Sequence, residues 1–545
     1  MSDLIADYIV VGAGVTGCVV ASRLAQSPVK PKVILIEAGS DPSSEPAAAG
    51  FLSGLSLAGG KFDYADASEP VPATANRIHT LSSGRALGGG SILNYGGWLR
   101  ADAADYDEWA KLVGDKRWGY EGFKPWFHKV ECLQDAHNDS RSGELGVSGP
   151  MHITSISAAA SGERKYPLRE EVREAWLELG VSPAKGNGSI GGLTEFYENS
   201  REGMRQPSQM AYSLAQVQVI TDCLVDKVTF ADQDGTGNTA TGIQLADGRK
   251  ISARKEVILC AGAYRTPTIL IRSGVGPLDT LKQHGIPVIY ESPHVGQNLH
   301  DHFATYLAFR LKDPSAGYAL GSPSWQHNPA LFQGLPWDWV VSQPLPAEVL
   351  ARYTSEEATK ARNLYEVITL YVPPGIPGIP VDGTHLATST MLLLPNSRGH
   401  VSIRSTDATD SPVIQPNFFS TPLDHDTLVH AVRQTLKVML TTRMSSIVDS
   451  ETPPSAPGLE GLESLTADAS DEVIEDRIRR TGMQHFHSGG TAAMGKVVDV
   501  SGRVLGVKGL RVADASVVPI PLGGHPQATL YAMAEHLASD ISQEM

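Results

Sequence analysis

The chain has 545 residues, 41% of them hydrophobic, and a net charge of −15 from 45 basic and 60 acidic residues. At about 100–200 residues per domain, that length divides into roughly two to four units with ample apolar material for a core. The acidic balance, with no basic stretch, argues against nucleic acid or a membrane surface as partner, and no apolar run reaches the about 18 residues of a membrane-spanning helix.

Strand-like sequence begins at Asp7 with no basic-then-apolar leader before it, so a secretory signal is not expected and a cytoplasmic location is. Residues 8–11 are an apolar run, followed by Gly12-Ala13-Gly14-Val15-Thr16-Gly17. The pattern is helical from Cys18 to Leu24, and residues 32–37 form a second apolar run closing on Glu37. This predicts a βαβ unit of about 30 residues with parallel strands and a crossover helix. In such a unit the first glycine permits the turn, the second admits a pyrophosphate, and the third lets helix pack on strand. The helix N-terminus offers free N–H groups and a positive dipole end to the anion. A carboxylate at Glu37 accepts hydrogen bonds from a ribose diol and repels a 2′-phosphate, so FAD and NAD fit and NADP is disfavoured. A coincidental glycine turn is the competing reading.

A second glycine run follows, Gly84-Arg85-Ala86-Leu87-Gly88-Gly89-Gly90-Ser91-Ile92-Leu93-Asn94. Two stretches of bare backbone imply one long ligand, a dinucleotide touched twice. Asn138-Asp139-Ser140 and Asn187-Gly188-Ser189 are formal glycosylation sequons, expected to be chance matches without a leader. Cys18, Cys132, Cys223 and Cys260 have neither metal nor redox spacing and read as free thiols. Residues 256–263 and 508–514 read as further buried strands ending in turns, so pieces far apart in sequence build one parallel sheet.

Between residues 312 and 480 the character changes. Trp325, Trp337 and Trp339 lie among prolines in 321–346, which reads as a lid or loop over a site, with structural tryptophans as the alternative. Residues 364–372, 388–394 and 401–404 read as strands split by turn signals. No long helix separates the last two, so they are expected to pair antiparallel. A helix is expected from Leu428, with Val432, Leu436 and Met439 on its apolar stripe and Asp424 as N-cap. Further on, residues 484–495 carry His485 and His487, and residues 523–527 carry His525. Neutral imidazole suits alcohol oxidation, because it can accept the hydroxyl proton as hydride leaves carbon. A second imidazole can hold the substrate oxygen and share its developing charge. Zinc is possible by ligand type, but no cysteine or carboxylate stands at a familiar spacing, and no metal is expected.

Residues 84–94, continuing to Trp98 and Ala101 and to Asp105-Tyr106-Asp107-Glu108-Trp109, resemble the first signature of the glucose–methanol–choline (GMC) flavoprotein oxidoreductases. Residues 262–276 resemble the second signature, and Val295-Gly296-Gln297-Asn298-Leu299-His300-Asp301-His302 and residues 485–535 resemble further family stretches. The resemblance implies an α/β fold: a Rossmann-like FAD-binding domain with a parallel sheet, plus a substrate domain with a mostly antiparallel sheet and helices. The FAD-binding domain would comprise residues 1–155, 201–311 and 481–545, and the substrate domain residues 156–200 and 312–480.

The FAD-binding residues so implied are Gly12, Gly14, Gly17, Glu37, Ala38, Arg85, Gly88, Gly89, Gly90, Asn94 and Gly97. Val225 would meet the adenine through its backbone, Asp514 and Ala515 the phosphate–ribityl region, and Pro526 and Gln527 the pyrimidine end of the flavin. Some relatives link the flavin covalently through a histidine at the position of Leu93, so FAD is expected here to be non-covalent. His487 stands where the family's catalytic histidine stands and His525 at its partner position, while His485 has no match and is left to the substrate pocket. The implied activity is oxidation of a primary or secondary alcohol, apolar or aromatic, by hydride transfer to flavin N5, with electrons passed to O2 or another acceptor. A hydroxynitrile lyase-type relative is the alternative. An inactive flavin-fold scaffold and an NAD-dependent dehydrogenase are the more distant rivals.

Overall fold

A computed structural model describes residues 4–51, 54–134, 143–156, 164–231, 238–353 and 362–545. The sequon at 138–140 lies outside the described residues. The apolar run at 8–11 is the end of the strand Leu4–Val11, and every residue of that run is buried. Apolar on both faces, it takes a central place, as interior parallel strands do. It pairs parallel with Val33–Ile36 on one side and with Lys250–Leu259 on the other. Gln218–Ile220 extends the sheet beyond Val33–Ile36, and Leu510–Val512 pairs with the end of Lys250–Leu259. The register sets Ile220, Ile36, Val11, Leu259 and Val512 level with one another. The chain therefore leaves all five strands along one edge, where open parallel sheets bind their ligands. The first part of Lys250–Leu259 pairs antiparallel with Thr239–Leu245, which in turn pairs with Val225–Ala231. The helix Val15–Ala25 packs against the C-terminal helix Pro526–Gln543.

A second seven-stranded sheet is antiparallel throughout. Its order runs Val448–Thr452, Phe303–Leu311, His385–Leu392, Tyr365–Leu370, Trp339–Gln343, Gly192–Glu195, with Met483–Gln484 also on Phe303–Leu311. Phe303–Leu311 thus pairs in this sheet, although the sequence division put its boundary after residue 311. The helix Pro422–Val438 packs on His385–Leu392, where Thr435 and Thr390 share a hydroxyl hydrogen bond of 2.9 Å.

Two local expectations need correcting, and one open choice is decided. The strand at 401–404 is His400–Ser402, and it pairs with Val413–Gln415 instead of with the strand before it. The intervening turn is pinned elsewhere: Leu299 and Gly399 exchange both backbone hydrogen bonds, at 3.0 and 2.7 Å, and this leads the chain off the sheet. Asp424 does not cap its helix. Thr421 does, accepting from the Asp424 amide at 3.4 Å, while the buried Asp424 carboxylate binds the Asn396 and Ser397 amides at 2.7 and 3.0 Å. The tryptophan segment is mostly structural. Trp325 is fully buried against Tyr166, Trp339 donates its indole N–H to the Arg169 carbonyl at 2.9 Å, and of the three only Trp337 reaches the cavity described next.

Among the described residues no helix is long and apolar enough to cross a membrane. Cys18, Cys223 and Cys260 are buried free thiols, and Cys132 is half-buried and free.

Candidate active site

One cavity of about 390 Å³ runs along the exit edge of the parallel sheet and under the antiparallel one. At the sheet end it is lined by Gly12, Gly14, Glu37 and Ala38, and beyond them by Val225. The Cys223 amide donates to the Glu37 carbonyl at 2.9 Å, which carries the chain to Val225 beside the second strand's end. Glu37 is clamped between the first glycine turn and its own: the Ala13 and Gly39 amides donate to its two carboxylate oxygens, each at 2.8 Å. Burial pushes its pKa up to about 7 against the pull of those amides. The helix Val15–Ala25 has Gly14 at its N-cap and no side-chain cap, so its first-turn N–H groups are left for an anion.

The two glycine runs meet. The Gly88 amide donates to the Ala13 carbonyl at 2.7 Å, and a Cβ on Gly89 would lie 2.5 Å from the Gly14 Cα. Gly89, Gly90, Asn94 and Gly97 line the cavity from this second run. Gly17, Arg85 and Gly88 do not reach it. Gly17 packs the helix instead, since a Cβ there would sit 1.9 Å from the Gly12 carbonyl oxygen. Arg85 lies over the Tyr64 ring at 5.6 Å. Arg205, which sequence reasoning missed, is buried and donates to the carbonyls of Ala48 and Ile92 at 2.7 and 2.8 Å and to Asn94 Oδ1 at 3.1 Å. It thereby fixes the far end of the short helix Gly90–Leu93.

Asp514, Ala515, Pro526 and Gln527 line the same cavity from the C-terminal segment. The buried Asp514 carboxylate accepts from the Gly262 amide at 2.9 Å and Thr266 Oγ1 at 2.6 Å, which ties the strand Leu510–Val512 to the start of helix Gly262–Arg272. Gln527 accepts from Asn94 Nδ2 at 3.1 Å and donates to the Gly97 carbonyl. A backbone cradle without Cβ atoms, an uncapped helix start and a clamped carboxylate suit a dinucleotide, and the residues present fit FAD.

At the other end stand three imidazoles. The ring centroids of His487 and His525 are 5.1 Å apart, and His485 lies 5.1 and 6.0 Å from them. His487 is held from behind. Its amide donates to Asp301 at 2.7 Å, Ser488 Oγ donates to the same carboxylate at 2.6 Å, and its Nδ1 is 2.8 Å from Nδ1 of His302. Burial, then the neighbouring rings of His302, His485 and His525, hold His487 well below the usual imidazole range, so it is neutral. Burial likewise pushes Asp301 up to about 7 and His485 down to about 3. His525 turns Nε2 to the buried Glu366 at 2.9 Å. Its loop is anchored by the Gly523 amide, which donates to Asp105 at 2.7 Å.

The antiparallel sheet closes this end. Tyr306, Ser389 and Ile368 are level across three strands and all line the cavity, with Leu370 beyond Ile368 on the same face. Phe196 packs edge-on against both His525 and Trp337. Sequence reasoning missed Asp301, His302 and Glu366 as parts of this site. The first two lay inside a recognised motif, but their partner is at 487. Glu366 sits in an apolar run where only its charge marks it.

The GMC oxidoreductase family model matches residues 6–304 with its N-terminal part and residues 395–534 with its C-terminal part. The chain is similar to a GMC-type oxidoreductase, acuG, of Aspergillus aculeatus, 37% identical over 98% of this chain and 98% of that protein. It is 31% identical to an oxygen-dependent choline dehydrogenase of Pectobacterium carotovorum, over 98% of this chain and 94% of that one. Among solved structures, a formate oxidase of Aspergillus oryzae superposes with a TM-score of 0.87 at 27% identity, covering 100% of this chain and 99% of that one. The chain belongs to the GMC oxidoreductase family, and its cofactor is FAD.

Proposed function

We propose that this GMC oxidoreductase oxidises an uncharged, apolar or aromatic alcohol, with His487 as general base and His525 as partner to the substrate oxygen. The observation that carries the reading is that His487 and His525 share one cavity with the glycine cradle. Gly14, Gly89, Asn94, Gly97 and the Asp514–Ala515 turn would hold FAD, and bound FAD supplies the hydride acceptor. His487, neutral and lining the cavity, takes the hydroxyl proton. His525 faces Glu366 with Nε2, which leaves Nδ1 for the same oxygen. Phe196, Trp337, Ile368 and Leu370 give the substrate apolar and aromatic walls.

Leu93, which lines the cavity at the position where some relatives carry a linking histidine, has no nucleophile, and this supports non-covalent FAD. Dioxygen as electron acceptor is supported by the oxygen-dependent choline dehydrogenase and the formate oxidase among the similar proteins.

The test is anaerobic flavin reduction by a panel of alcohols, followed by admission of air. A neutral aromatic or aliphatic alcohol should bleach the flavin and air should restore it. His487→Ala should keep FAD and lower the limiting reduction rate by about 10²–10⁴-fold, the usual share of a general base. An unchanged rate in that variant removes His487 from the mechanism.

A further inference from the structure

We infer that His302 is a positioning residue that locks His487 in the tautomer whose lone pair is on Nε2, the nitrogen left for the substrate. The inference rests on the reading of His487 as base. His302 immediately precedes the strand Phe303–Leu311 and is buried at 3% exposure. Its Nε2 lies 3.0 Å from the Leu522 carbonyl oxygen. A carbonyl only accepts, so this nitrogen carries the hydrogen, and in a neutral ring Nδ1 is then a bare acceptor. That bare Nδ1 faces His487 Nδ1 at 2.8 Å with the rings edge to face at 85°. One hydrogen must lie between the two nitrogens, and it belongs to His487. Nε2 of His487 is consequently unprotonated, and no protein group bonds it among the described residues. In the opposite tautomer two lone pairs would confront each other across the same gap.

His302 stays neutral because it is buried and its ring is surrounded by His300, His485 and His525, whose charges would oppose its own. The neighbouring carboxylate, Asp301, is engaged by the His487 amide and Ser488. Leu522, the far end of this chain of bonds, sits in the loop that delivers His525, so one side chain ties the two histidine loops together. The nitrogen turned away from a histidine's chemistry commonly sets its tautomer in this way.

Three variants and one spectrum test the inference. His302→Leu should retain FAD and bind substrate within about threefold of wild type, yet reduce flavin about 10²-fold or more slowly, as base histidines do in the wrong tautomer. His302→Asn, whose Oδ1 can accept from His487 Nδ1, should recover at least about tenfold of that loss. Independently of turnover, nitrogen-15 spectra of histidine-labelled holoenzyme should show the ring that disappears in His487→Ala as protonated on Nδ1 and bare on Nε2. FAD-loaded His302→Leu that reduces flavin within about threefold of wild type overturns the inference, and so does a wild-type His487 ring protonated on Nε2. Should the Leu variant fail to fold, the Asn variant and the wild-type spectrum decide. If His487→Ala itself is unimpaired, the base reading fails. If His487→Ala is slow while His302→Leu is not, only the role of His302 fails.

Discussion

Burial sets the charge on which His487 depends. A water-exposed imidazole with a pKa of about 6.5 would be mostly protonated, and useless as a base, by about pH 6. His487 is held well below that range, chiefly by loss of solvent and then by His302, His485 and His525, whose protonation would oppose its own. A depressed pKa keeps the base form present at acidities where a free histidine has lost it, so activity is lost only as pH falls much further. The limiting rate of flavin reduction should therefore stay level from about pH 8 to about pH 6. Stopped-flow measurement at saturating alcohol checks this. Asp301, which burial raises to about 7 and which holds the His487 amide, also titrates in this window, so only a rate that halves near pH 6.5 in Asp301→Asn as well would show that the reacting base has an ordinary pKa and is not this buried ring.

At the scale of elements, the site depends on two backbone runs crossing without side chains. Gly89 has φ +52°, and its absent Cβ would fall 2.5 Å from the Gly14 Cα, so neither chain can yield without moving the cradle. Backbone strain of this kind costs about 1–3 kcal/mol, or roughly tenfold to a hundredfold in affinity if it falls on the bound state. Gly89→Ala should weaken FAD binding by that factor, measured by quenching of FAD fluorescence on titration into apoprotein. Wild-type affinity in the variant would mean that the two runs can separate freely. The glycine spacing and the acid after the second strand made this cradle legible in sequence, because a βαβ turn is local and its residues act within one unit. The same holds for the strands that end at Val11, Ile36, Leu259 and Val512. What sequence could not show is what arrives from elsewhere. Asp424 reads as a helix cap until the Asn396–Ser397 turn is seen to claim its carboxylate. The 401–404 strand reads as the partner of 388–394 until Leu299 holds the turn away. His302 reaches His487 across 185 positions, and Glu366 reaches His525 across 159.

For the molecule as a whole, one cavity is the common boundary of both sheets. Val11 and Ile36 end parallel strands on one side of it, while Tyr306, Ile368 and Ser389 project from antiparallel strands on the other. A ligand filling it touches both halves and binds only the folded chain, so it must raise the stability of the entire protein. For a non-covalent ligand the gain is about 2.7 kcal/mol when free FAD stands a hundredfold above its dissociation constant, and each further tenfold adds about 1.4 kcal/mol. The unfolding midpoint should thus climb with the logarithm of added FAD, and acid-precipitated protein should leave its yellow colour in the supernatant. A linked flavin would behave in the opposite way on both counts, because its effective concentration at the site cannot be changed from solution. A midpoint indifferent to added FAD together with a yellow pellet would show that some residue other than Leu93 supplies a bond to the cofactor.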